Sequence, residues 1–182
     1  MSTAQIDLET LRYPVGKFSP PPAVSREDIA RYIRTIETLP RMMRDAVRNL
    51  GDDQLDTRYR EGGWTIRQVV HHVPDSHMNA YCRFKLALTE DNPTIRPYLE
   101  SLWAELPDGK SAPVDISLDI LEAVHKRWVI VLQNMSADDY KRTFYHPENK
   151  VTRTLEVNLS LYDWHSRHHL AHITELKKRM GW

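Results

Sequence analysis

The residues best suited to chemistry in this chain are histidines. Nine occur in 182 residues, and four of them fall within eight positions of W-H-S-R-H-H-L-A-H-I, from Trp164 to Ile173. Two pairs stand four apart, His165 with His169 and His168 with His172. Four residues is about one helical turn, so either pair sets two imidazoles on one helix face, as in helices that hold zinc through HExxH. Neither pair has glutamate after its first histidine, so the base built into that motif is missing. Winding the segment at about 100° per residue gathers Leu155, Leu159, Tyr162, Ile173, Leu176 and Met180 on one face. His169 then lies within roughly 30° of the centre of that face and His165 within about 70°. His168 and His172 fall further round and are expected as supporting or surface groups. A buried imidazole without a partner costs on the order of 1–3 kcal/mol, and a shared metal removes that cost.

A metal wants a third protein ligand. The second helical segment supplies candidates in V-V-H-H-V-P-D-S-H-M: His71, His72 and His77. Periodicity puts His77 at the centre of the apolar stripe and His72 to its side, but Pro74 stands between them. Composition and spacing leave the choice open. His125 and His146 are expected in ordinary structural or surface roles. Trp64, Trp103, Trp128 and Trp164 are expected as core and arm anchors. Asp75 is the carboxylate nearest His72 in sequence, and no general base is assigned. The single cysteine, Cys82, excludes an intrachain disulfide and any multi-cysteine zinc site. It sits in an apolar helical pattern and is expected to be a buried thiol.

Four amphipathic segments must position these groups. The first opens at Ser25 with Asp28 three residues on, a capping-box pattern, and carries Ile29, Tyr32, Ile33, Ile36, Leu39, Met43, Val47 and Leu50 at helical spacing. Pro40 is expected to kink or interrupt it. The second opens at Thr65 with Gln68 as box partner and runs to Leu88, with Pro74 inside. The third spans about 117–135. The fourth runs from near Thr154 to Met180 and stops at Gly181. Residues 91–116 hold four prolines and are long enough to carry the chain from one end of a bundle to the other. Residues 142–154 read as two short extended pieces around a Pro-Glu-Asn-Lys turn. Residues 1–24, with Pro14, Pro20, Pro21 and Pro22, predict an irregular N-terminal arm pinned by Tyr13 and Phe18, ahead of one helical domain over 25–182. Few strand signals and six glycines place the chain in the all-α class.

Lysine plus arginine equals aspartate plus glutamate, 25 each, so no strongly basic nucleic-acid or membrane binder is expected. No apolar run approaches the ~18 residues of a membrane span, and the N-terminus lacks a signal-like apolar stretch. A cytoplasmic protein is the expectation.

Several long stretches also resemble one known family. They are Y-P-V-G-K-F (Tyr13 to Phe18), L-D-T-R-Y-R-E-G-G-W-T-I-R-Q-V-V-H-H-V-P-D-S-H-M-N (Leu55 to Asn79), R-F-K-L-A-L-T-E (Arg83 to Glu90), F-Y-H-P (Phe144 to Pro147) and W-H-S-R-H-H-L-A-H-I-T-E-L (Trp164 to Leu176). Together they resemble the DinB-like superfamily, and within it the YfiT branch, described as metal-dependent hydrolases and as bacillithiol transferases. The resemblance implies a four-helix bundle with a long crossover, a homodimer, and a three-histidine site for one divalent metal per subunit; nitrogen ligands suit zinc, nickel, cobalt or iron, with zinc first and nickel next. It places the ligands on His72, eight residues after Trp64, and on His165 and His169. Proline at position 74 departs from the helix-compatible residue usual in the family. Two chemistries follow for a small-molecule substrate: hydrolysis by an activated water, or addition of a low-molecular-weight thiol to an electrophile. A non-catalytic helical interaction module is the reading from another class.

Overall fold

The computed structural model describes residues 7–182, so the first six residues of the expected arm lie outside the described residues. In chain order the elements are α1 (Leu8–Arg12), α2 (Arg26–Val47), α3 (Asp52–Leu55), α4 (Ile66–Thr89), α5 (Glu100–Trp103), α6 (Pro107–Ser111), α7 (Val114–Gln133), α8 (Ala137–Lys141), β1 (Thr143–His146), β2 (Val151–Thr154) and α9 (Leu155–Met180). The long helices α2, α4, α7 and α9 form a four-helix bundle.

Local chemistry sets their ends. Ser25 Oγ accepts from the Asp28 N–H while the Asp28 carboxylate accepts from the Ser25 N–H, and Thr65 with Gln68 repeats the box at α4. Gly181 ends α9 at φ 72°, in the left-handed region that glycine enters without strain. Neither internal proline interrupts its helix, contrary to the expectation for Pro40. Both are buried, and the apolar packing around them outweighs the roughly 3 kcal/mol an interior proline costs. Each still removes one helical donor. Pro40 frees the Ile36 carbonyl.

Named contacts give the helix directions. Thr35 bonds Asp163 and Lys177 bonds the Ala46 carbonyl, so α2 and α9 run parallel. Arg44 pairs with Asp115 and Asp119 while His125 meets the Ile36 carbonyl, so α2 and α7 are antiparallel. His71 bonds Ser117 and His77 bonds His125, so α4 and α7 are parallel. Two neighbouring parallel helices require a connection along the full bundle, and residues 91–116 provide it, as their length suggested. That connection is not featureless: α5 and α6 form within it and pack on α4. The β1–β2 hairpin pairs Thr143 with Thr154 through His146 with Val151, and Ile95 and Pro93 bond to Tyr145. It thereby ties the crossover to the start of α9.

The core has two apolar halves. One gathers Tyr32, Ile36, Phe84, Trp128, Leu132, Phe144, Leu155, Leu159 and Tyr162. The other gathers Leu39, Met43, Val47, Ile66, Val70, Val73, Leu118, Leu121, Ile173 and Leu176. The boundary falls between Val73 and Ala80 on α4, between Leu121 and Trp128 on α7, and between Tyr162 and Ile173 on α9. His77, His125, His165 and His169 occupy that gap. A layer of imidazoles therefore crosses an otherwise apolar bundle.

Candidate metal centre

α4 and α9 run antiparallel, with Ser76 beside Tyr162 and His72 beside His165. One turn of spacing on α9 carries His169 alongside His165, their ring centroids 4.4 Å apart. His72 enters from α4, 4.8 Å from the His169 ring. Ligand nitrogens of His72, His165 and His169 all lie within 4.8 Å of one another. Two of them, His72 Nε2 and His165 Nε2, are 3.3 Å apart. Two nitrogens bonded tetrahedrally to one ion at 2.0–2.1 Å stand about 3.3–3.4 Å apart, so this spacing suits a shared cation. His169 Nδ1 is buried without a hydrogen-bond partner, a second sign of a site made for a ligand.

The electrostatics agree. Burial drives His72 down to about 3, with the His168 imidazole adding to the effect. His165 and His169 fall well below 6.5, first through burial and then through neighbouring imidazoles. A neutral imidazole at pH 7 keeps one nitrogen lone pair beside its single N–H, the state a cation requires.

Of the three α4 candidates, the structure brings only His72 into this cluster. His71 turns toward the start of α7, where it meets Ser117 Oγ at 2.7 Å and the Ala112 carbonyl at 3.1 Å. His77 is fully buried, as its place on the apolar stripe implied, and contacts His165 from behind. The flank position of His72 is what lets it face a cleft. That cleft encloses about 700 Å³, and its wall carries Trp64, Ser76, Arg83, Tyr98 and Tyr162 beside the three histidines.

Several expectations are corrected. Of the supporting or surface roles expected for His168 and His172, the surface one is excluded: both are buried, because the N-terminal arm covers them. His172 Nε2 donates to the Arg12 carbonyl, its ring stacks on Tyr59 at 3.9 Å, and Tyr13 lies 6.0 Å from His168. These two form with His169 a second group of nitrogens within 4.8 Å, drawn from α9 alone. Trp164 is an arm anchor, donating to the Gly16 carbonyl and packing on Phe18. Trp128 is in the core, but Trp103 is exposed, and Trp64 belongs to the site, 4.6 Å from the His72 ring. Cys82 is exposed, not buried. His125 and His146 are both buried. Sequence reasoning also missed Ser76, whose hydroxyl sits 3.4 Å from His165 Nε2 and 3.3 Å from the Tyr162 hydroxyl. A single serine in a helix gives no periodic signal.

Comparison with known proteins fits this geometry. The family model described as the DinB superfamily matches residues 35–173. A Bacillus cereus protein named "Putative metal-dependent hydrolase" is 55% identical over 175 residues, covering 96% of this chain and all of its own length. A Bacillus anthracis protein of the same name is 54% identical over the same extent. The solved structure of YfiT from Bacillus subtilis, described as "a probable metal-dependent hydrolase with an unusual four-helix bundle topology", superimposes with a TM-score of 0.93 at 51% identity. It covers 95% of this chain, which in turn covers 99% of it. With most of its length matched by the family model, its bundle reproduced and His72, His165 and His169 meeting at one cleft, the chain belongs to the DinB superfamily.

Proposed function

We propose that the chain is a metal-dependent hydrolase whose divalent ion is held by His72, His165 and His169. The observation that carries this reading is the 3.3 Å separation of His72 Nε2 and His165 Nε2 in a cluster of neutral imidazoles. Three protein nitrogens from two helices leave coordination positions open to the cleft, the arrangement of a catalytic rather than a closed structural site. Nitrogen donors suit zinc or nickel. When bound, such an ion supplies Lewis acidity that acidifies a water and polarises a substrate carbonyl or similar group. The chain's own residues bind and orient the substrate. Trp64 offers an apolar wall, and the Ser76 hydroxyl and the guanidinium of Arg83 face the same cleft. The names of the relatives support the coarse activity.

The test begins with elemental analysis of tag-free protein. His165→Ala and His169→Ala should each lose stoichiometric metal while keeping their far-ultraviolet helical signal. Full metal retention in both variants refutes the site. Thiol-independent ester or amide cleavage by the loaded protein supports hydrolysis. Conjugation of monochlorobimane only in the presence of a small thiol assigns the same centre to thiol transfer instead.

A further inference from the structure

Behind the three-histidine cluster lies a chain of buried hydrogen bonds with a fixed direction. It starts at Pro40. A helical carbonyl at position 36 normally accepts from the N–H of residue 40, and proline has none. The Ile36 carbonyl therefore points into the bundle unpaired by its own helix, and His125 Nδ1 approaches it at 2.5 Å. His125 Nε2 is 2.8 Å from His77 Nδ1, and His77 Nε2 is 3.1 Å from His165 Nδ1. His77 and His125 are essentially inaccessible to water, and among the described residues no carboxylate bonds to any of the three rings.

A carbonyl can only accept. His125 must then donate from Nδ1, and a neutral ring has one N–H, so its Nε2 is an acceptor. His77 must in turn donate from Nδ1 and accept at Nε2. His165 must donate from Nδ1 to His77. Its own Nε2 is left as a bare lone pair aimed at His72 and the cleft. The hydroxyl facing that nitrogen agrees: Ser76 Oγ, 3.4 Å away, can donate to it. His77 and His125 are sealed from water and have no carboxylate partner, so each ring of the chain carries a single proton.

We propose that Pro40, the Ile36 carbonyl, His125 and His77 form a positioning relay that sets the tautomer and ring orientation of His165, presenting its Nε2 as a preformed ligand. Partners of this kind commonly fix metal-binding histidines, and losing one typically costs 10- to 100-fold in affinity. Here the fixing group is a backbone carbonyl two rings away, released by a proline in another helix. The relay rests on the metal-centre reading only for its effect on affinity, because the tautomers belong to the metal-free chain.

Two measurements test it. Long-range nitrogen–proton correlation spectra of metal-stripped, histidine-labelled protein at neutral pH should show His125, His77 and His165 all protonated at Nδ1. An Nε2–H tautomer at His77 or His165 overturns the relay without any variant. Competition with a chelator should then show His125→Phe weakening Zn²⁺ binding about 10- to 100-fold, with His125→Gln, which keeps one donor and one acceptor on a planar group, recovering most of that loss. Unchanged affinity in a folded His125→Phe protein overturns the relay's effect on the site. Loss of zinc binding in the unaltered chain, with the Nδ1–H tautomers intact, removes the metal reading alone.

Discussion

Lowering the pH of the metal-free protein should destabilise it steeply between pH 7 and 5. His72 and His172 are held at about 3, and His125 and His168 at about 4, each mainly by burial. In the unfolded chain the same groups titrate near 6.5. The folded values are depressed, so as pH falls through 6.5 the unfolded chain takes up protons that the folded chain refuses. The stabilisation is present above the unfolded value and is lost on acidification. Each ring, fully expressed, costs about 2 kcal/mol between pH 7 and pH 5. Four rings together reach about 8 kcal/mol, and half of that remains a large share of the 5–15 kcal/mol typical of a domain. Urea unfolding followed by circular dichroism in the presence of a chelator, at half-unit pH steps, measures the slope. A midpoint that stays flat from pH 7 to 5 would refute the assignment of these rings as buried and neutral. A bound divalent ion should stabilise the protein at neutral pH and be released on acidification, because its ligands must be deprotonated.

The arm should shield the second pair of α9 histidines. A double substitution Tyr13→Ala, Phe18→Ala removes its two aromatic contacts, and proton NMR titration should show His168 and His172 rising from about 4 and about 3 toward 6.5. Cys82 should react with a disulfide reagent in the native protein as fast as in a denatured control, since it lies exposed on α4.

Periodicity alone located His165 and His169 on the inward face and His77 on the α4 stripe, because a helix that buries one face must repeat its apolar residues every three to four positions. It missed Cys82 for a reason visible on the same helix. Met78, Cys82, Lys85 and Thr89 repeat at i, i+4, i+7 and i+11, and that outer face carries two residues of apolar type. It left His168 and His172 between supporting and surface roles. They do lie off the apolar face, but a segment some 150 residues away folds over them.

The capping residues, the turn within the hairpin, the long crossover and the glycine stop are local instructions, written in neighbouring residues and readable from them. Which of His71, His72 and His77 joins the α9 pair is a different kind of question. It depends on the antiparallel seating of α4 against α9 and on where a cleft remains open, and no single helix carries that information. The partner of the carbonyl that Pro40 releases is likewise chosen only when α7 packs against α2 and brings His125 to it. Side-chain spacing along one helix sets direction, while convergence on a shared point requires helices distant in sequence to meet.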